Sequence, residues 1–405
     1  MKHSNLLDTS VLNQAALYVV AVSFGPDSMA LLDTLRRQGY RVHVAHVNYH
    51  KRPESDVEQS RLEQYCIHHD IPLSVLDVND DLEGNFQQAA RIVRYNFFKD
   101  IALEQKAEAI LTAHHLDDHL ETAMMQLERG SLHERYGIRQ QSAWQGVKVL
   151  RPFLAQGKKA LIEYCKLQQV PHSIDATNAT PVYTRNRHRL RLQKLASVEK
   201  RQLLKRIQNL NQDQLNIQKK LTLWKNKHTI LTSLYASWTT QTQFLYWHMK
   251  SEHQGFHMVI SHHFLQKVML VIQSQKPNVR VKLNNDWFLE KSYDRLIVLN
   301  NHWLVPYEYS VNNSVHLSHP LFEFDFKGGV PIPTPFVCRS AKATDYIQIR
   351  HYKSSFRRLA IDWKMPLYLR SIWPVMVDSK DRVKFIPRYQ NGYESKANNW
   401  LVIIE

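Results

Sequence analysis

Apolar residues in the first 150 positions gather in short runs separated by longer amphipathic stretches. The runs 16–22, 41–47, 73–78, 109–113 and 147–150 are rich in Val, Ile and Leu and read as buried strands. Between them, 28–38, 54–69, 85–104 and 116–129 carry helical spacing. Strands alternating with helices predict an α/β fold, a parallel sheet covered on both faces. In such sheets ligands bind beyond the carboxyl ends of the strands, where the strand order reverses. The polar loops at those ends are therefore the places to look for chemistry.

The pattern then changes twice. From Tyr183 to Gln254 there is neither Gly nor Pro, which favours helix. Leu203, Ile207, Leu210, Ile217, Leu221 and Trp224 recur at spacings of three, four and seven, one apolar helical face, and its plain reading is helix packing on helix. After Pro277 the runs shorten to 279–283, 287–289 and 296–299, strand-like. The GGVPIPTP stretch at 328–335 reads as a linker or a turn-rich entrance, and 336–405 mixes short strands with basic residues.

A length of 405 residues suggests two or three domains with a proper core. No run of 18 apolar residues exists, which argues against a membrane span, and MKHSNLLDTS lacks a signal-peptide layout. Cys66, Cys165 and Cys338 stand alone without a CxxC, so a disulfide framework, a zinc ribbon and an iron–sulfur site are disfavoured and a reducing cytoplasmic setting fits. Charge changes the picture more. The net charge is +16, but residues 1–195 hold 24 basic and 22 acidic residues, while 196–405 hold 29 and 15. A near-neutral half joined to a strongly basic one predicts a polyanion partner, most simply nucleic acid.

Four segments carry candidate chemistry. Ala21-Val-Ser-Phe-Gly-Pro-Asp-Ser28 follows a strand and opens a helix, which points N–H groups and the positive helix end at an anion. Ser23 and Ser28 add hydroxyls, Asp27 suits a magnesium ion, and the lysine of a Walker A loop is missing. An ordinary turn through Gly25 and Pro26 is the bland alternative. Thr112-Ala-His-His-Leu-Asp-Asp-His-Leu-Glu-Thr122 lies at the same sheet edge, with Asp117 and Glu121 on one helix face and Asp118 adjacent. Carboxylates that close to a phosphate loop call for magnesium or a cationic substrate group. His114, His115 and His119 offer zinc as the weaker alternative, without an HExxH. Arg91 and Arg94 share a helix face suited to phosphate or carboxylate, or to solvent. Finally, Asp175-Ala-Thr-Asn178 precedes four arginines, Arg185, Arg187, Arg189 and Arg191, that fit nucleic acid or an exposed basic turn.

The first segment resembles the SGGxDS signature of the PP-loop pyrophosphatase superfamily, with Phe24 where that signature carries Gly. A β-region conformation at Phe24 would accommodate the ring; a positive φ would cost about 1–2 kcal/mol and leave a weakened loop. The ordered set of segments resembles the tRNA(Ile)-lysidine synthetase family: His46-Val47 with His50 and Arg52, then Arg91, Arg94 and Tyr95, TAHHxDDxxET, Arg129-Gly130, Arg151-Pro152, and Asp175, Thr177, Asn178 with Arg185, Asn186 and Arg189. The likeness is strong over about 15–195 and weaker beyond, in Lys364-Met-Pro-Leu and Arg370 with Trp373-Pro374.

That resemblance implies a Rossmann-like PP-loop adenylation domain over 1–195, a mainly helical tRNA-binding domain over 196–300, and a small basic C-terminal α+β tRNA-binding domain over 301–405. It implies ATP and Mg2+ as cofactors, and free L-lysine and a tRNA(Ile) with a CAU anticodon as partners. The wobble cytidine would be flipped out, adenylated at its C2 oxygen, then attacked at C2 by the lysine ε-amino group, releasing AMP and pyrophosphate in all. Ser23, Phe24, Gly25, Pro26, Asp27, Ser28, His46 and His114 would bind ATP. Asp27 and Asp117 would hold the metal. Catalysis would fall to Asp27, Asp117, Asp118, Glu121 and Arg91, with Arg91, Asp117 and Glu121 on the lysine; the split among the three carboxylates of the 117–121 helix stays open. Arg94, Arg185, Arg187, Arg189, Arg357, Arg358 and Arg370 would hold the tRNA, with a steep salt dependence.

Two rivals stand beside this reading. Another PP-loop tRNA enzyme, a thiolase, would need a persulfide cysteine or an iron–sulfur site that three lone cysteines do not supply. A non-enzymatic RNA-binding protein with a decayed loop is the reading that Phe24 motivates.

Overall fold

A computed structural model of the chain describes residues 6–78, 86–173, 184–256, 258–311, 314–326, 336–349, 352–389 and 399–403. The chain divides into two compact units, Met1–Gln214 and Leu215–Glu405.

The first unit opens with β1 (Leu17–Ala21), α1 (Pro26–Arg37), β2 (Arg41–Asn48), α2 (Glu54–His68), β3 (Leu73–Asp77), α3 (Phe86–Glu104), β4 (Ala109–Leu111) and α4 (Leu116–Glu128). A hairpin of β5 (Gln141–Trp144) and β6 (Val147–Leu150) follows, then α5 (Lys158–Leu167), α6 (Thr184–Lys194) and α7 (Ser197–Leu221). The strands form one sheet in the order β3-β2-β1-β4-β6-β5, parallel except for the last pair. This is the expected Rossmann-like layout, and the order reverses between β1 and β4.

Alternation along the strands fixes the two covering layers. Tyr18, Val20, Val44 and Leu111 point to one face, where Leu31, Leu32 and Leu35 of α1 pack with Leu62 of α2 and Leu161 of α5. Val19, Ala45, Ile110 and Val149 point to the other, against Tyr95, Phe98 and Ile101 of α3. Each fully buried Leu contributes about 1.5–3 kcal/mol. Asp33 ties the first layer together: it is 1% exposed and accepts bonds from Arg36, Arg37, Tyr65 and Tyr164, reaching from α1 to α2 and α5. A third cluster joins Leu120 and Ala123 of α4 to Leu192 of α6 and Ile207 of α7. Leu203 and Ile207 thus sit on a packed face, as their spacing predicts.

Several strands escaped the sequence pattern. β5 is short and polar, and its partner is β6 across a two-residue turn in which Gln145 (φ 46°) and Gly146 (φ 88°) are both left-handed, the turn that suits strand twist. β7 (Thr229–Leu231) interrupts the stretch read as helical. It lies in the second unit, where it pairs with a strand more than sixty residues later, a partner no local pattern reveals.

That unit continues with α8 (Thr232–Ala236), α9 (Thr240–Gln254) and α10 (His262–Gln273), then β8 (Asn278–Lys282), β9 (Trp287–Ser292) and β10 (Arg295–Asn300), forming a sheet in the order β7-β10-β9-β8. Beyond it lie β11 (Glu308–Val311), β12 (Val315–His319), β13 (Phe322–Phe326), β14 (Phe336–Ser340), β15 (Tyr346–Ile349), β16 (Tyr352–Ser355), α11 (Phe356–Asp362), α12 (Leu367–Arg370), β17 (Pro374–Val377), β18 (Val383–Phe385) and β19 (Asn399–Ile403). These strands form small antiparallel sheets around Phe322, Phe324, Trp373 and Met376, the expected C-terminal α+β region. The stretch 328–335 and the residues Asp175, Thr177 and Asn178 lie outside the described residues. Among the described residues no helix is long and apolar enough to cross a membrane.

Candidate active site

The switch point between β1 and β4 opens into a crevice of about 720 Å³. Ser23, Asp27 and Ser28 line it from the β1–α1 turn, and His46 from β2. Arg91 and Arg94 line it from α3, His114 and Asp118 from the start of α4, and Arg189 from α6. Residues far apart in sequence therefore converge where the strand order predicts.

The β1–α1 turn is built by its own residues. Gly25 is the N-cap of α1 and Pro26 its first residue, where the missing N–H costs nothing. Ser28 Oγ donates to the Gly25 carbonyl at 3.0 Å and accepts the Ser23 main-chain N–H at 3.2 Å, which closes the loop over the helix end. Phe24 has φ 59°, not the β-region conformation that would suit a bulky residue. Its ring is 0% exposed, packed in the α1 layer, and its carbonyl accepts the Ser173 N–H at 3.0 Å. Burial of an aromatic ring offsets the left-handed strain, so Phe occupies this position as a core residue.

Asp27 is the charged centre of the turn. Its Oδ2 lies 3.5 Å from His115 Nε2 and 3.5 Å from Lys158 Nζ. Its Oδ1 is buried with no hydrogen-bond partner. Burial raises the carboxyl's affinity for a proton, but His115 and Lys158 outweigh it and hold Asp27 below the ordinary carboxylate value. A buried, unpartnered carboxylate oxygen is the donor chemistry a magnesium ion takes.

His115 caps α4. Its main-chain N–H donates to Asp118 Oδ2 at 3.1 Å, and its Nδ1 faces the Asp118 N–H at 3.4 Å, a capping box. The ring is 2% exposed. Burial works against its charged form, yet Asp27, Asp118 and Asp117 prevail and raise its pKa. His119 turns elsewhere, its Nδ1 against the Ile138 main chain, and Gly137 (φ 78°) gives it room: a Cβ there would stand 2.4 Å from the ring. The two histidines do not converge as a zinc pair.

Asp117 and Glu121 share a face of α4, and each holds a cation of this chain. Asp117 Oδ2 accepts the Lys158 main-chain N–H at 2.8 Å, and its Oδ1 lies 3.2 Å from Lys200 Nζ. Burial raises its pKa, but the Lys158 N–H, Lys200 and His115 outweigh it and hold the carboxyl below its ordinary value. Glu121, 1% exposed, accepts Arg189 Nε at 3.0 Å. Neither carboxylate lines the crevice; Asp118 does. His46 Nδ1 bonds the Val22 carbonyl at 2.8 Å, and burial lowers its pKa, so the ring is neutral with Nε2 as its acceptor. His114 Nδ1 pairs with Thr112 Oγ1 at 2.8 Å. Arg91 stacks over Tyr95, 4.4 Å from the ring centroid.

The remaining basic residues fall into three groups. Arg187 is exposed and pairs with Glu128 at 3.1 Å; Arg185 lies on α6, its side chain outside the described residues. In the second unit Arg357 and Arg358 are exposed on α11. Arg370 is spent internally, on the Met365 carbonyl at 2.9 Å and the Tyr293 hydroxyl at 3.2 Å. Sequence reasoning gave no role to Lys158 or Lys200, and to His115 only that of an alternative zinc ligand. Only His115 left a signal, as the residue before α4 in a strand–loop–helix edge.

Residues 2–196 match the PP-loop domain family. The chain is 42% identical over 178 residues to the tRNA(Ile)-lysidine synthase of Ureaplasma parvum, covering 42% of this chain and 53% of that one. It is 26% identical over 417 residues to the bifunctional protein TilS/HprT of Listeria monocytogenes, covering 91% and 64%. Against the tRNA(Ile)-lysidine synthase of Bacillus licheniformis it is 28% identical over 425 residues, covering 91% and 88%. The chain thus spans between about half and two thirds of the first two relatives.

Proposed function

We propose that this chain, which carries a PP-loop domain over residues 2–196, is a tRNA(Ile)-lysidine synthetase, a ligase that joins free L-lysine to C2 of a wobble cytidine at the expense of ATP. The observation that carries the proposal is the convergence of an anion-binding helix end, Asp27 with its unpartnered oxygen, Asp118, and the cations Arg91 and Arg94 on one crevice.

The roles follow from position. The first-turn N–H groups of α1 have no partners within the helix, and with Ser23 and Ser28 they hold the departing pyrophosphate. Asp27, with its unpartnered oxygen, would hold magnesium. The metal, when bound, offsets charge on the phosphate oxygens. Asp117 joins that role only by giving up Lys200 or the Lys158 N–H, so Asp27 is the primary ligand. His46 and His114 line the nucleotide side of the crevice, where a neutral His46 accepts a hydrogen bond.

Lysine brings two ammonium groups and a carboxylate. Asp117 and Glu121 already hold an ammonium and a guanidinium, so they are carboxylates shaped for cations. Asp118 lies on the crevice wall, and we assign it the proton of the ε-ammonium, since only the free amine attacks. Arg91, on α3, takes the lysine carboxylate. Arg94, Arg185, Arg187 and Arg189 border the crevice and α6, and with Arg357 and Arg358 of the second unit they grip the tRNA backbone.

The reaction class is tested by its nucleotide products. Incubation with ATP, magnesium and an isoleucine tRNA transcript with a CAU anticodon yields AMP and pyrophosphate in equal amounts, and Asp27→Asn lowers that yield at least about a hundredfold. Release of ADP and phosphate would contradict the proposal.

A further inference from the structure

The β1–α1 loop contains no lysine, yet the group it would release carries several negative charges. A cation must meet them from elsewhere. Lys158 pairs with the aspartate of that loop. It is the first residue of α5, after the N-cap Gly157, and its Nζ lies 3.5 Å from Asp27 Oδ2. Its main-chain N–H is fixed on Asp117 at 2.8 Å, so the residue is anchored at its backbone while a 35% exposed side chain remains free to swing. The crevice-lining cations Lys51, Arg52, Arg91, Arg94 and Arg189 come from the β2–α2 segment, α3 and α6.

Charge balance gives the reason for a move. Asp27 is paired with Lys158, and Asp117 with Lys200. A divalent cation arriving on Asp27 makes Lys158 surplus there. The nearest new anion is the phosphate chain that arrives with the metal.

We propose that Lys158 supplies the cation the phosphate loop lacks: it leaves Asp27 when a divalent cation binds and pairs with the β- or γ-phosphate of ATP. The inference rests on the adenylating activity proposed above. In that step the cytidine O2–Pα bond forms and the Pα–O bond to the β-phosphate breaks. The electron pair leaves with pyrophosphate, and no proton moves. Lys158 neutralises the leaving group as its charge grows.

The test is equilibrium binding by calorimetry, on the full chain with magnesium, of ATP, inorganic pyrophosphate and AMP. Lys158→Met weakens ATP and pyrophosphate about tenfold or more, as loss of a charge-assisted bond predicts, and leaves AMP unchanged. Lys158→Arg restores most of the affinity. Lys159→Met, which removes the same charge from the exposed neighbour, binds all three like the wild type. Lys158→Gln takes the place of the Met variant should that one fail to fold. Unchanged ATP and pyrophosphate binding in Lys158→Met, or an equal loss for AMP, overturns the inference and leaves the proposed activity standing. A wild type that binds neither ATP nor pyrophosphate overturns both.

Discussion

His115 is buried between three carboxylates, and its two tasks pull apart. As the α4 cap it accepts the Asp118 N–H through an unprotonated Nδ1, at a long 3.4 Å. As a neighbour of Asp27, Asp117 and Asp118 it is driven toward the cation, with a raised pKa. A His whose folded pKa lies above its unfolded value of about 6.5 stabilises the fold fully below that pH, and the contribution fades as pH rises through the folded value. Asp27 and Asp117, with lowered pKa values, stay ionised across this window and titrate only in acid. His115→Asn keeps a capping acceptor and removes the titration. Urea unfolding at pH 6 and pH 9 therefore shows a wild-type advantage over the variant that is larger at pH 6; an advantage that is equal at both, or larger at pH 9, contradicts the argument. Much of this residue-level picture was legible. Asp27, Asp118 and His114 announce themselves at strand–loop–helix edges. Lys158 and Lys200 do not, because they meet Asp117 from 41 and 83 residues away, and a lysine on a helix reads as solvent-facing.

At the scale of elements, the β1–α1 turn shows where sequence reasoning and packing part. A bulky residue in a glycine position suggests an extended backbone or a failing loop. The backbone is not extended: Phe24 is left-handed, and its ring is fully buried. Phe24→Gly relieves about 1–2 kcal/mol of strain but removes a core ring worth about 3–5 kcal/mol, a net loss of about 2 kcal/mol. Urea unfolding of the variant reads that loss, with no gain in ATP turnover. A variant as stable as the wild type that turns over ATP when the wild type does not restores the decayed-loop reading. The parallel strands of the sheet were legible because its central strands are buried on both faces and rich in Val, Ile, Leu and Ala. β5 and β7 were not, because short strands take their identity from partners across a turn or far along the chain.

Across the whole molecule the charge is uneven, with 29 of the 53 basic residues but only 15 of the 37 acidic ones in residues 196–405. That asymmetry was readable from composition and favours a polyanion over the small substrates that PP-loop chemistry alone would need. What composition could not give is which basic residues stay available. Arg357 and Arg358 are exposed, whereas Arg370 is consumed by a carbonyl and a hydroxyl of its own unit. The central claim is that this chain joins lysine to a particular tRNA, and it is met most directly by ATP-dependent incorporation of labelled lysine into an isoleucine tRNA transcript with a CAU anticodon. A methionine tRNA with the same anticodon is the control. The account predicts label on the first and none on the second; tight tRNA binding at low salt with no label on either would contradict it and leave a binding-only protein.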